Sequence, residues 1–117
     1  MQLDSETLDN GIVKVNLSGR LDLLGAQDID MKFTALTATK NAPILVDISE
    51  VTFLASLGIR TLLSSAKAVS MRGGLMVLCN PQPNVMEVLE ASGVSSLISI
   101  YANFQDAMDA LTSFQSG

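Results

Sequence analysis

The stretch Pro43-Ile-Leu-Val-Asp-Ile48 is almost wholly apolar, and shortly after it the apolar residues change their period. A short continuous run of this kind forms a strand buried on both faces. Further on, Ile59, Leu62, Leu63, Ala66 and Val69 recur at helical spacing. The junction lies within Val51-Thr-Phe-Leu-Ala-Ser-Leu-Gly-Ile-Arg-Thr-Leu-Leu63. There Ser56 reads as the N-cap or the first residue of the helix, with Gly58 two positions on. A hydroxyl is thus placed at a helix N-terminus at the carboxyl end of a sheet strand. Free N–H groups and the helix dipole favour an anion at such a place, and open α/β sheets put their functional sites there.

The flanking segments extend the pattern in both directions. Asp9-Asn-Gly11 is a turn signal, and Val13, Val15 and Leu17 alternate with Lys14, Asn16 and Ser18, so the chain opens with a β-hairpin closed by Gly19-Arg-Leu-Asp22. A helix is predicted from about Leu24 to Thr39 with Ala26, Ile29, Phe33 and Leu36 on one face. The Ser56 helix runs to about Met71, and Arg72-Gly-Gly74 turns into a strand, Leu75–Cys79. Asn80-Pro-Gln-Pro83 opens a helix carrying Val85, Val88 and Leu89, with Gly93 as its stop. A last strand is predicted at Leu97–Tyr101, then a helix opened by Asn103 and lined by Ala107, Met108, Leu111 and Phe114. A hairpin followed by alternating helices and strands implies an α/β fold, a mostly parallel mixed sheet of about five strands with about four helices. Right-handed crossovers then bring Asp22, Ser56 and Asn80 to one rim.

Composition removes competing chemistry. The 117 residues suit a single domain, 1–117. There is no histidine, so Ser-His-Asp catalysis and imidazole metal ligation are excluded. The single cysteine, Cys79, sits in an apolar run and reads as a buried strand residue in a reducing compartment. A net charge of −5 argues against nucleic acid and anionic membrane surfaces. No basic stretch precedes an apolar block at the N-terminus, and no apolar run approaches the roughly 20 residues that span a bilayer. A soluble, cytoplasmic protein without membrane insertion is expected. No G-x-G-x-x-G occurs and no acidic pair precedes Asp47, so neither a dinucleotide enzyme nor a receiver domain fits. The expectation is a protein that is not an enzyme and needs neither metal nor cofactor; nucleotide binding at the Asp22–Ser56 rim stays open.

At this point the chain resembles the STAS domain family, over nearly its whole length. The resemblance rests on Gly19-Arg-Leu-Asp22, on Val46-Asp-Ile-Ser-Glu-Val-Thr-Phe-Leu-Ala-Ser-Leu-Gly-Ile59, on Ala91-Ser-Gly-Val94 and on the closing Tyr101–Leu111 segment. The middle block is the specific one. In bacterial single-domain members, anti-sigma-factor antagonists, the motif serine is phosphorylated by a partner kinase that is itself an anti-sigma factor. The unphosphorylated antagonist binds that kinase and frees the sigma factor. The resemblance implies Ser56 as phosphoacceptor and Asp22 as an acidic contact in the neighbouring loop. It extends the partner surface over Leu54, Ala55, Leu57, Gly58 and Arg60. One departure stands out: many members carry aspartate before the serine and a serine or threonine after it, where this chain has Ala55 and Leu57.

Each of these residues also has a plainer reading. Ser56 can be only a helix cap, Asp22 only a dipole-stabilising cap of the first helix, and Arg60 a solvated side chain. Phe53 and Leu54 are either core beneath the loop or an exposed docking patch, with Phe53 assigned to the core. The expected protein is a phosphorylation-switched anti-sigma-factor antagonist, a monomer or weak dimer. The alternative is a STAS scaffold subunit of a transporter or stress-signalling complex that is never phosphorylated, a reading favoured by Ala55.

Overall fold

In the computed structural model, which describes residues 1–39 and 42–116, the hairpin leads into a five-stranded sheet ordered as in the sequence. The strands are β1 (Gln2–Thr7), β2 (Val13–Leu21), β3 (Ile44–Leu54), β4 (Met76–Cys79) and β5 (Ile100–Tyr101). β1 pairs antiparallel with β2, and every later neighbour is parallel. The helices are α1 (Leu23–Thr39), α2 (Ser56–Met71), α3 (Pro83–Ala91) and α4 (Phe104–Ser116), with a 3-10 turn at Val94–Ser96. This is the mixed α/β architecture that the hairpin and the alternating periods predict.

Two cores explain the patterns. On one face Val13, Val15 and Leu17 of β2 join Ile44, Val46 and Ile48 of β3 and Met76 and Leu78 of β4. Ile29 and Phe33 of α1, Leu62 and Val69 of α2, and Val85 and Leu89 of α3 close over them. On the other face α4 buries Ala107 and Leu111 against Leu45, Val77 and Cys79. β3 and β4 are therefore covered on both sides where they pair, which is why their sequences are continuously apolar. Asn103 opens α4 as read from the sequence: its Oδ1 accepts from Asp106 N–H at 2.8 Å. Gly93 follows α3 with φ of 82°, a left-handed conformation that suits glycine.

Three expectations are corrected. β3 runs on to Leu54, well past Ile48, because it keeps pairing with β2 as far as Leu21. Register shifts at Asn16/Ser18 and Gly19/Arg20 put one extra residue into β3 each time, and such bulges break the two-residue alternation. Val51 and Leu54 therefore face inward while Phe53, assigned to the core from the sequence, is 38% exposed. The last strand is shorter than predicted. Leu97 N–H and Ile98 N–H both donate to the Val94 carbonyl, so the backbone closes on itself there, and only Ile100 and Tyr101 pair with β4.

Asn80 does not share the rim of Asp22 and Ser56. β4 pairs with β3 only over Ile44–Asp47, with Asp47 beside Cys79. Asn80 therefore lies level with Ile48 in the middle of β3, about 20 Å of strand short of its end at Leu54 at ~3.3 Å per residue. Beyond Asp47, β3 is held on that side by α3 and the loop before it: Gln82 Nε2 donates to the Ser49 carbonyl and Asn84 Nδ2 to the Thr52 carbonyl, each at 2.9 Å. The edges of the sheet are β1, whose Asp4 and Glu6 are exposed, and the two-residue β5.

Candidate functional site: the projecting tip of β2 and β3

β2 and β3 end together as a two-stranded projection, and each leads directly into a helix. Asp22, the residue after β2, caps α1: its Oδ1 accepts from Gly25 N–H at 2.9 Å and its carbonyl from Ala26 N–H at 2.8 Å. Ala55, the residue after β3, occupies the cap of α2 in extended conformation (φ −115°, ψ 173°) and brings no side-chain hydrogen bond. Ala55 N–H instead donates to the Leu21 carbonyl at 3.0 Å, tying the start of α2 to the end of β2.

Glycine allows both helices to come this close. A methyl group on Gly25 would collide with the Arg20 carbonyl, and one on Gly58 with the Leu21 carbonyl. Two successive peptide groups of β2 are thus covered by the first turns of α1 and α2. That contact sets Asp22 and Ser56 at one tip, as the sequence predicts for this pair.

Ser56 is the first residue of α2 and is exposed. Its hydroxyl stands at a helix N-terminus whose first-turn N–H groups no side chain caps, a place where a phosphate would be electrostatically favoured. Asp22 holds the other side. The Gly25 N–H is the main cause that keeps its carboxyl below the ordinary carboxylate range; partial desolvation opposes this, and the Arg20 guanidinium assists. Arg20 Nε lies 3.3 Å from Asp22 Oδ2, and the same guanidinium stacks over the Phe53 ring, 4.2 Å from its centroid.

Large apolar side chains also stand exposed around the tip. Leu23 and Leu24 of α1 are 51% and 69% exposed, and Leu57 of α2 is 39% exposed. A cleft of about 150 Å³ separates the two helices, lined by Leu23, Gln27, Leu57 and Arg60 among others. Arg60 is exposed there and faces α1.

Two residues expected on the partner surface lie beneath it. Leu54 is 5% exposed and belongs to the core, turned inward by the bulge before Phe53. Gly58 is buried against Leu21. They lie under the tip, whereas Asp22 and Ala55 are half-buried and Leu57 and Arg60 are exposed on it. Leu23, Leu24 and Arg20 escaped the sequence reading as tip residues, and Phe53, assigned there to the core, is exposed. The signal for the first two was present, an apolar pair directly after a capping aspartate; the Arg20–Phe53 pair depends on a register that bulges conceal.

Cys79 takes no part. Burial, reinforced by the charge of Asp47 and opposed by Lys14, pushes its thiol up to about 12, so it stays protonated and unreactive at neutral pH. Among the described residues no group of acidic or cysteine side chains converges as a metal site. Nor is any helix there long and apolar enough to cross a membrane.

A mixed sheet with its first strand antiparallel and helices seated on it is an α/β domain of the STAS type. The STAS domain profile matches residues 6–107, and the chain belongs to that family. Among curated relatives, the anti-sigma F factor antagonist of Paenibacillus polymyxa is 28% identical over 86% of this chain and 87% of its own. The anti-sigma-B factor antagonist of Bacillus subtilis is 24% identical over 77% and 82%. Among solved structures, an anti-sigma factor antagonist from Mycobacterium paratuberculosis superposes with a TM-score of 0.85 at 23% identity, covering 95% of this chain and 93% of that one.

Proposed function

We propose that this chain is a phosphorylation-switched anti-sigma-factor antagonist. Its unphosphorylated form binds an anti-sigma factor that is also a serine kinase, through the exposed tip formed by Asp22, Leu23, Phe53, Ala55, Leu57 and Arg60. The kinase transfers the γ-phosphoryl group of ATP to Ser56 Oγ, which gives up its proton, and ADP leaves. The observation that carries this reading is Ser56 itself, exposed on the first turn of a helix with no side-chain cap. The names of the curated relatives support the antagonist role.

The switch follows from two opposing magnitudes. A phosphate adds about −1.5 to −2 charges at pH 7. In the free domain the N-terminus of α2 favours it by about 0.3–1 kcal/mol, so the fold persists. Against a partner, the same phosphate is pressed among Leu57, Phe53 and Leu23, where desolvating an unpaired charge costs several kcal/mol. The interface term is the larger, and phosphorylation releases the partner without unfolding the domain.

The test is phosphosite mapping after incubation with the cognate kinase and Mg-ATP, together with partner affinities of Ser56→Asp and Ser56→Ala. Phosphate is expected on Ser56. The Asp variant should lose at least tenfold in affinity, about 1.4 kcal/mol, while Ala keeps binding; both should stay folded. Phosphate on Ser64 or Ser65 with Ser56 untouched sinks the assignment. Equal affinity of the two folded variants leaves the unphosphorylated scaffold, the reading that Ala55 favours.

A further inference from the structure

The far end of α2 carries a feature with no part in the tip. Leu63, Ala66, Lys67 and Met71, with Leu97 and Ile98 from the turn before β5, line a groove of about 380 Å³. Ile98 is buried and forms its floor, whereas Met71 and Leu97 are 78% and 72% exposed, large apolar side chains left in water. Met71 ends α2 and stands ~22 Å along the helix axis from Ser56.

Charge tells what such a groove would accept. No acidic residue lines it. Lys67 does, Arg72 follows Met71, and neither forms an ion pair among the described residues. From Ser56 to Arg72 the chain has Arg60, Lys67 and Arg72 and no carboxylate, although the protein has 12 acidic residues and a net charge of −5. α2 is thus a cationic element in an anionic molecule. That argues against a second copy as occupant, because a two-fold contact through this patch would bring Lys67 and Arg72 towards their own copies.

We propose that the groove docks an amphipathic helix of another protein, whose apolar anchors are flanked by aspartate or glutamate. Apolar anchors cover Met71 and Leu97 and reach the floor at Ile98, in the manner of helix-in-groove recognition. The flexible thioether of Met71 adapts to the side chain presented. Flanking carboxylates meet Lys67 and Arg72, which remain at the rim and act mainly on encounter rate and selectivity. The groove is separate from the tip, so the proposal stands whether or not Ser56 is phosphorylated.

The experiment uses the full chain, 15N-labelled, titrated with a synthetic peptide of ~16 residues, long enough to populate a helix. Leucines at i, i+3, i+4 and i+7 are flanked by glutamate, and a second peptide carries lysine at those flanks. The acidic peptide should shift the amides of Leu63, Lys67, Met71 and Leu97, and the lysine peptide should bind at least tenfold more weakly. Lys67→Glu and Arg72→Glu, both on exposed side chains, should reverse the preference, and Leu97→Gln should weaken both peptides. Shifts confined to the Ser56 tip, equal affinity for the two peptides, or no effect of charge reversal in the folded variants overturn the proposal. So does sedimentation showing a dimer that Leu97→Asp dissociates, which would assign the groove to self-association.

Discussion

Gly58 and Leu21 meet where no side chain fits: a methyl group on Gly58 would overlap the Leu21 carbonyl and lie 2.6 Å from Leu21 Cγ. Leu54 closes the third side at 3.0 Å. Because Leu21 precedes Asp22 and Gly58 follows Ser56 by two residues, this contact fixes the relative position of the two residues proposed to act. Gly58→Ala should destabilise the domain by about 1–3 kcal/mol, the usual cost of overpacking. Urea melts measure it, and a loss below about 0.5 kcal/mol would show that α2 moves away freely.

Asp22 predicts a pH dependence with a definite sign. Its folded carboxyl titrates below the ordinary value of 3.8, chiefly because it accepts the Gly25 N–H. A depressed value means stability present above the unfolded value and lost as pH falls through the folded one. Asp22→Asn keeps a capping side chain but cannot ionise. Wild type should melt higher than this variant at pH 7, and the gap should close below pH 3.8 as Asp22 takes up its proton. A gap that is constant into acid assigns the effect to shape instead of charge.

Ala55 leaves the cap of α2 without a side-chain acceptor. Ala55→Asp should therefore stabilise the domain by about 0.5–2 kcal/mol, in addition to supplying the carboxylate that many related domains carry before the serine. Thermal melts read the first effect. If the kinase uses that carboxylate, the rate of Ser56 phosphorylation should also rise; an unchanged rate shows that it does not.

Arg20 and Phe53 should be coupled. A double-mutant cycle on Arg20→Ala and Phe53→Ala is expected to give about 0.5–1 kcal/mol of interaction energy, typical of an exposed cation–π pair. Each single variant should remain folded, because both side chains are largely outside the core. A cycle that closes at zero would mean that the stack does not persist in solution.

The tip shows where sequence reading succeeds and where it stops. Ser56 at the start of α2 and Asp22 at the start of α1 were legible because capping preferences and a change of period are local signals. The inward turn of Leu54 and the exposure of Phe53 were not. They depend on extra residues in β3, which become visible only once β3 is aligned with β2. The reach of β3 beyond β4 was hidden for the same reason: polar Ser49 and Glu50 end an apolar run, yet they do not end pairing with β2. Leu97 was misplaced because an apolar residue beside a strand-like sequence carries no mark of a turn that closes on Val94.

The two edges of the sheet bear on how this molecule behaves in company. An open β edge invites a further chain to add itself as a strand. Here β5 offers only Ile100 and Tyr101, and a second β1 approaching the first would bring the carboxylates of Asp4 and Glu6 towards their own kind. A short β5 and a charged β1 both disfavour the addition of a sixth strand to this sheet.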